Sequence, residues 1–387
     1  MRGNINSPVR KPHVMILAGE ASGDAHAAEF VRHIRRLRPD VRLSGMGCSL
    51  MKKAGVDVFF DSTSIAVMGL VEVLKHWGDI KRAMARVRQA MEDDKPDLLV
   101  LVDYPDFNLK MAEHARKLDI KVLYYISPKV WAWRPKRIHK IGRLIDHMAL
   151  IFKFELSYYE SANIPASFVG HPLVGKVQAS RDREQTLRTL GIQGNPTIVG
   201  LFPGSRNSEI HRLMPLMLET AQKMRAQNPA IEFILPVAST LDRNAIAAQC
   251  TQSGVDICVS ETNIYDLIPC CDAIVSCSGT VNLEIALLGI PMCVVYKTAW
   301  LSHKILKRLV KIPHVCLVNI IAKREVVREF LQQDASTDRV SSELFKILED
   351  STYANQIRTD LKQVCDDLGK GSGSEAMAEL VLSFIPH

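Results

Sequence analysis

Residues 97–108 read Asp97-Leu98-Leu99-Val100-Leu101-Val102-Asp103-Tyr104-Pro105-Asp106-Phe107-Asn108, and this stretch decides the fold. Five apolar residues form a run of strand length with no polar alternation, which marks a strand buried on both faces. A polar turn follows, and after it a helical stretch over 107–118. The same order recurs along the chain. His13–Leu17 leads through Ala18-Gly19 into a stripe of Phe30, Val31, Ile34 and Leu37 that Pro39 stops. Strands are expected at 56–60, 121–126 and 147–151, with helices at 67–77, 80–91 and 135–144. A break falls near Gly170-His171-Pro172, and Gln178-Ala179-Ser180-Arg181 reads as a polar linker. A second series then begins at 197–202, with later strands at 231–236, 255–259, 273–276 and 292–296. Strands alternating with helices of this length imply βαβ units and parallel sheets. The expectation is two facing, doubly wound, Rossmann-like α/β domains with a cleft between them, 1–172 and 173–387. The tail after Asp334 is assigned to the second as packing helices.

Composition narrows the class. Of 387 residues 47% are hydrophobic and 24% charged, and the formal net charge is +7. That is ordinary for a globular chain, and the mild positive excess suits an anionic substrate or an anionic membrane surface. No apolar run reaches the roughly 18 residues of a membrane-spanning helix. The N-terminus lacks the apolar core of a secretory signal. Nine cysteines at irregular spacing, without a C-x-x-C pair, read as reduced cytosolic thiols.

Ligands of open parallel sheets bind beyond the carboxyl ends of the strands, so the turns there carry the chemistry. Ala18-Gly19-Glu20-Ala21-Ser22-Gly23-Asp24 suits an anion or sugar, although Ser22 or Asp24 capping a helix fits the spacing equally well. Asp103 ends a buried strand, where desolvation raises a carboxyl pKa toward general-base work; Asp106 is better read as a helix cap. Ser127-Pro128-Lys129-Val130-Trp131-Ala132-Trp133-Arg134, followed by Lys136, Arg137, Lys140 and Arg143, interleaves aromatics with cations. It suits a local phosphate or a solvated helix face, and one such patch alone argues against nucleic acid. Pro203-Gly204-Ser205-Arg206 and Ser278-Gly279-Thr280, with Glu284 one turn on, are two anion-type turns in one half. Together they favour a nucleotide diphosphate, with Glu284 reaching the ribose, over a plain strand-to-helix turn with an exposed Arg206 and a helix capped by Ser278 or Thr280. Metal motifs are absent, so neither metal nor cofactor is expected. Two stretches have the pattern of lipid-facing helices and also of ordinary core: Ile65–Trp77 and the basic amphipathic Trp300–Ile312.

In order, AGEASGD (18–24), AVMGLVEVL (66–74), DYPDFN (103–108), SPKVWAWRPKRIHKIGR (127–143), VGHPL (169–173), LFPGSR (201–206), SGTVNLE (278–284) and LVNIIA (317–322) resemble the lipid-A-disaccharide synthases. These are family-19 glycosyltransferases of GT-B architecture. The likeness runs from about residue 13 to the C-terminal helices. Lys129 departs from the small polar residue of the family, and Val281-Asn282 from its usual small residues. The resemblance implies transfer from UDP-2,3-diacylglucosamine to the 6-hydroxyl of 2,3-diacylglucosamine 1-phosphate (lipid X), with inversion, giving the β(1→6) disaccharide 1-phosphate and UDP. It implies Asp103 as the base and Gly204, Ser205, Arg206, Ser278, Gly279, Thr280, Glu284 and Asn319 on the donor side. Asn319 is taken to follow a strand-like 315–318. Glu20, Ser22, Gly23 and Asp24 would line the acceptor side. It further implies attachment to the cytoplasmic face of the anionic inner membrane, and a homodimer. The alternatives are a UDP-sugar 2-epimerase of the same fold and an RNA-binding protein.

Overall fold

The computed structural model describes residues 10–65, 77–133, 135–298 and 313–386. Most of the two lipid-patterned stretches, and Arg134, lie outside the described residues. The chain divides into two compact units, 1–174 with 368–387, and 175–367.

The first unit runs β1 (His13–Ala18), α1 (Ala21–Leu37), β2 (Arg42–Gly47), α2 (Ser49–Lys53), β3 (Asp57–Asp61), α3 (Trp77–Asp94), β4 (Leu98–Val102), α4 (Pro105–Lys117), β5 (Lys121–Tyr125), α5 (Arg137–Gly142), β6 (His147–Leu150), α6 (Leu156–Ser161) and β7 (Ala166–Phe168). Its seven strands lie in the order β3-β2-β1-β4-β5-β6-β7, every pair parallel. All five residues of β4 are buried, as a strand covered on both faces requires. Helix α1 buries Phe30, Val31 and Ile34, but Leu37, its last residue, is 53% exposed.

The second unit contains α7 (Arg183–Leu190), β8 (Ile198–Phe202), α8 (Asn207–Gln227), β9 (Glu232–Pro236), α9 (Arg243–Gln252), β10 (Cys258–Ser260), α10 (Ile264–Leu267), β11 (Ala273–Cys277), α11 (Val281–Leu287), β12 (Met292–Tyr296), α12 (Leu317–Ala322), β13 (Glu329–Leu331), α13 (Thr337–Glu349) and α14 (Ser351–Asp367). Its six strands are parallel in the order β10-β9-β8-β11-β12-β13. The expected linker is not loose. Buried Asp266 accepts hydrogen bonds from the Ser180 amide at 2.6 Å, the Ser180 hydroxyl and the Arg181 amide.

Three differences from expectation have physical reasons. Strand β2 escapes the pattern because Ser44, Gly45 and Gly47 interrupt its apolar run; a Cβ on Gly45 would fall on the Ile16 carbonyl of β1, so glycine is the residue that fits. Residues 315–318 are not a strand. The Val315 and Cys316 amides donate to the Glu329 carboxylate at 2.9 and 3.2 Å, and the chain turns into α12. The tail does not belong wholly to the second domain. Its last helix, α15 (Gly373–Ser383), packs on α1, and the His171 amide donates to the Leu368 carbonyl at 2.8 Å. Gly170, at φ +91°, and Gly373 let the two backbones meet there.

Candidate active site

Each sheet reverses its winding once. In the first unit the reversal lies between β1 and β4, in the second between β8 and β11. At such a point the loops diverge and leave room for a ligand. The four loops there are those singled out above: AGEASGD after β1, DYPDFN after β4, PGSR after β8 and SGT after β11.

In the first unit, Asp103 and Tyr104 stand at φ 48° and 47°, and Ile126, at the end of neighbouring β5, at 69°. Non-glycine residues rarely occupy this region, least of all β-branched ones, and clusters of such strain mark functional sites. The turn is braced from beneath. The Asp103 carbonyl accepts from the Tyr124 hydroxyl at 2.6 Å and from Asn108 Nδ2 at 2.7 Å. The Asp103 amide donates to the Tyr125 carbonyl. Backbone and carboxyl are therefore held apart in function: the carbonyl is bonded inward, and the side chain is left half-buried. Burial raises the Asp103 pKa, opposed by the Tyr104 amide and the charge of Lys129. Lys129 thus acts directly on the candidate base. The Tyr104 ring covers Gly19, where any Cβ would strike it. Its phenol pKa is raised by burial and then by Glu20, so the loops after β1 and β4 meet.

Within AGEASGD the residues separate. Glu20 is the N-cap of α1 and Ser22 is exposed. Gly23 is buried against Ala18 and Val102, where the helix passes close to the sheet. Asp24 is a correction. It neither caps its own helix nor lines an open surface: its buried carboxylate accepts from the amides of Cys48 (2.6 Å), Leu50 (2.9 Å) and Met51 (3.2 Å), and so caps α2. Asp106 likewise caps nothing. It lies in the first turn of α4 and pairs with Arg137 at 2.7 Å, which takes one cation out of the basic stretch.

The WAWR block is built around a buried acid that pattern reading passed over. Trp131 Nε1 donates to Glu155 Oε1 at 3.0 Å, and Trp131 packs edge-on against Phe154. Glu155 is 2% exposed, and its Oε2 has no hydrogen-bond partner. Burial pushes its pKa up to about 8 despite the Trp131 hydrogen bond and the Lys129 charge. A carboxyl whose folded pKa lies above its unfolded value stabilises the fold while protonated, and that contribution is lost as pH rises through about 8. Tryptophan fluorescence is therefore expected to shift between pH 7 and 9 as the Trp131 turn loosens. In Glu155→Gln the transition should vanish; a variant that keeps it would place the titrating group elsewhere.

In the second unit, Gly204 stands at φ +117° and lets the chain turn from β8 into α8. The amides of Ser205 and Arg206, expected to grip phosphate, already donate to Glu209 Oε2 at 3.0 and 3.2 Å. Glu209 sits at the third helical position, a capping-box place legible in the sequence. The Arg206 guanidinium is 60% exposed, 3.6 Å from the other Glu209 oxygen. At the second turn, Ser278 Oγ donates to the Val315 carbonyl at 2.9 Å and the Gly279 amide to Asn282 Oδ1 at 3.0 Å, while Thr280 is exposed. Asn282, buried, also donates to Ser276 Oγ and the Cys277 carbonyl, and so braces the turn from inside. Glu284 is raised in pKa by burial and accepts from the Tyr265 hydroxyl at 3.2 Å.

Asn319 is also placed differently from expectation. It is fully buried, donating to the Val327 carbonyl and Glu329 Oε1, both at 2.8 Å, and accepting from the amides of Val326 (2.7 Å) and Val327 (3.0 Å). Two donors and two acceptor sites are all a carboxamide has, so none is left for a ligand. Asn319 holds Glu329, Glu329 holds the 315–316 amides, and the Val315 carbonyl holds Ser278.

The likeness to known proteins extends over nearly the whole chain. The sequence profile of the family described as lipid-A-disaccharide synthetase matches residues 14–384. Lipid-A-disaccharide synthases of Geobacter sulfurreducens and Nitrosococcus oceani are 47% and 43% identical over 96% and 97% of this chain, and over 97% and 96% of their own lengths. Among solved structures, the glycosyltransferase of kitacinnamycin superposes with a TM-score of 0.66 at 13% identity, covering 97% of this chain and all of that one. The UDP-GlcNAc 2-epimerase of Neisseria meningitidis bound to UDP-GlcNAc follows at 0.62 and 13%, with the same coverage, and MurG of Acinetobacter baumannii at 0.58 and 12%, covering 96% and 99%. At these identities the structures show the shared GT-B fold alone, including for the epimerase. The chain-long match at more than 40% identity shows more, and on it this chain belongs to the lipid-A-disaccharide synthase family of glycosyltransferases.

Proposed function

We propose that the chain joins two acylated glucosamines by direct displacement, with Asp103 as general base. The observation that carries this is the half-buried carboxyl of Asp103, set on a strained and braced turn at the switch point of the first sheet. The acceptor 6-hydroxyl of 2,3-diacylglucosamine 1-phosphate attacks the anomeric carbon of UDP-2,3-diacylglucosamine. The new C–O bond forms as the bond to UDP breaks, the anomeric configuration inverts, and Asp103 takes the hydroxyl proton. Glu20 and Ser22 flank the acceptor. Negative charge gathers on the departing diphosphate, and with the Ser205 and Arg206 amides already engaged by Glu209, the exposed Arg206 guanidinium and the Thr280 hydroxyl are the groups suited to receive it. Glu284 takes the ribose.

Replacing Arg206 with Ala is expected to lower kcat by roughly 10²–10³-fold, and Lys should rescue only part, because a point charge does not reproduce the guanidinium fork. An assay with both lipid substrates decides it; full activity in Arg206→Ala would move the charge stabilisation elsewhere. The same assay with EDTA should run at the untreated rate, since the Arg206 guanidinium and the Thr280 hydroxyl, without a metal, serve the leaving UDP. Loss of activity restored by a divalent cation would contradict this.

Both substrates carry acyl chains, so the chain works on the cytoplasmic face of the inner membrane as a peripheral protein. Among the described residues no helix is long and apolar enough to cross a membrane. A homodimer is the proposed assembly, read by light scattering in detergent.

A further inference from the structure

Helices α3 and α4 lie side by side on the first unit, and their facing surfaces form a groove of about 480 Å³. On α3 the lining residues Trp77, Ile80, Lys81, Met84 and Arg88 fall at steps of three and four, one helix face. On α4, Lys110, His114 and Lys117 do the same. Ile80 and Met84 bring apolar surface into it, and Trp77 stands 44% exposed with the ammonium groups of Lys81 and Lys110 each 5.7 Å from its ring centroid.

The charges here differ from those beside them. Beside the groove, Arg82 on α3 pairs with Asp79 and Arg116 on α4 with Asp146; within it, His114 pairs with Glu92. Lys81, Arg88, Lys110 and Lys117 form no ion pair among the described residues, and the lining supplies one carboxylate, Glu113, against these four cations. Unneutralised cations grouped around Ile80 and Met84 beside an exposed indole complement a surface that is anionic outside and apolar beneath. The geometry points to this groove as the place where the chain seats on the headgroups of an anionic phospholipid bilayer, with the Trp77 indole at the interface. The inference rests on the proposal that the substrates are held in a membrane.

The test is cosedimentation of the full chain with vesicles of phosphatidylglycerol mixed with phosphatidylcholine, against vesicles of phosphatidylcholine alone. Wild type is expected on the mixed vesicles and to be released by salt. Lys81→Ala, Arg88→Ala and Lys110→Ala should each lower the partition coefficient about fivefold, and together about 100-fold. Arg82→Ala, a paired cation on the same helix, serves as control. On vesicle binding, the blue shift of tryptophan emission should be smaller in Trp77→Phe than in wild type. Circular dichroism verifies that each variant is folded. A triple variant that sediments like wild type, or an Arg82→Ala loss as large as that of the groove cations, overturns the assignment. Release of the protein by millimolar inorganic phosphate at constant ionic strength would also overturn it, by making the groove a site for free anions. Glycosyl transfer in detergent micelles is read separately: failure of transfer with vesicle binding intact sinks the proposed reaction and leaves the groove standing.

Discussion

Asp103→Asn is expected to lower kcat on the order of 10³–10⁴-fold, with donor KM nearly unchanged, because the carboxamide keeps the shape of the base and cannot take the proton. The same substitution should raise the melting temperature of the first unit. Burial raises the Asp103 pKa, so the folded state binds its proton more tightly than the unfolded chain does. Its contribution to stability is therefore full below the unfolded value and falls as pH rises through the folded one, above which the desolvated carboxylate is charged. Asn removes that charge. Activity runs the opposite way: the base works when ionised, so kcat/KM should fall as pH drops through the raised pKa. A variant slower but no more stable would show that burial of the charge is not what tunes this group. A variant of near-normal turnover, with donor still bound, would remove Asp103 from the mechanism.

Asn319→Ala is expected to cost about 4 kcal/mol, since four hydrogen bonds go and the Val326 and Val327 amides and the Val327 carbonyl are left buried without partners. Urea unfolding followed by the second unit's signal measures this. Loss of activity should follow loss of the fold, because the damage reaches the SGT turn through Glu329 and Val315. A folded Asn319→Ala of wild-type stability and raised donor KM would return the carboxamide to the ligand. The Arg206 substitution makes the contrast: its side chain is exposed and it is expected to change rate with little change in stability.

These two asparagine and aspartate positions show how much of the site a sequence carries. Both fall within motifs, but motif identity alone assigned Asn319 to the donor side, whereas Asp103 is also marked as a base by its place at the end of a buried strand. For Asp103 the surroundings were legible, since five apolar residues before it require burial and a turn after it requires an opening. For Asn319 they were not. The partners that use up its carboxamide lie seven to ten residues on, Val326 and Val327 in the turn before a strand and Glu329 at the start of that strand, which is too short to show a period. Asp24 misled for the same reason: its carboxylate serves a helix that starts at Ser49. Glu155 was invisible, because nothing local distinguishes a buried glutamate from a solvated one.

The periods of apolar residues and the order of turns between them determined the α/β class, the parallel strands and the four loops on which chemistry depends, because those features follow from contacts within a few residues and from the need to bury a continuous strand on both faces. The tertiary structure alone decided which polar groups remain open to a ligand and which are spent inside. It also decided that the last helix returns to the first unit. A side chain's hydrogen-bonding capacity is finite, and whether it is already filled depends on residues brought close by the fold from far along the chain.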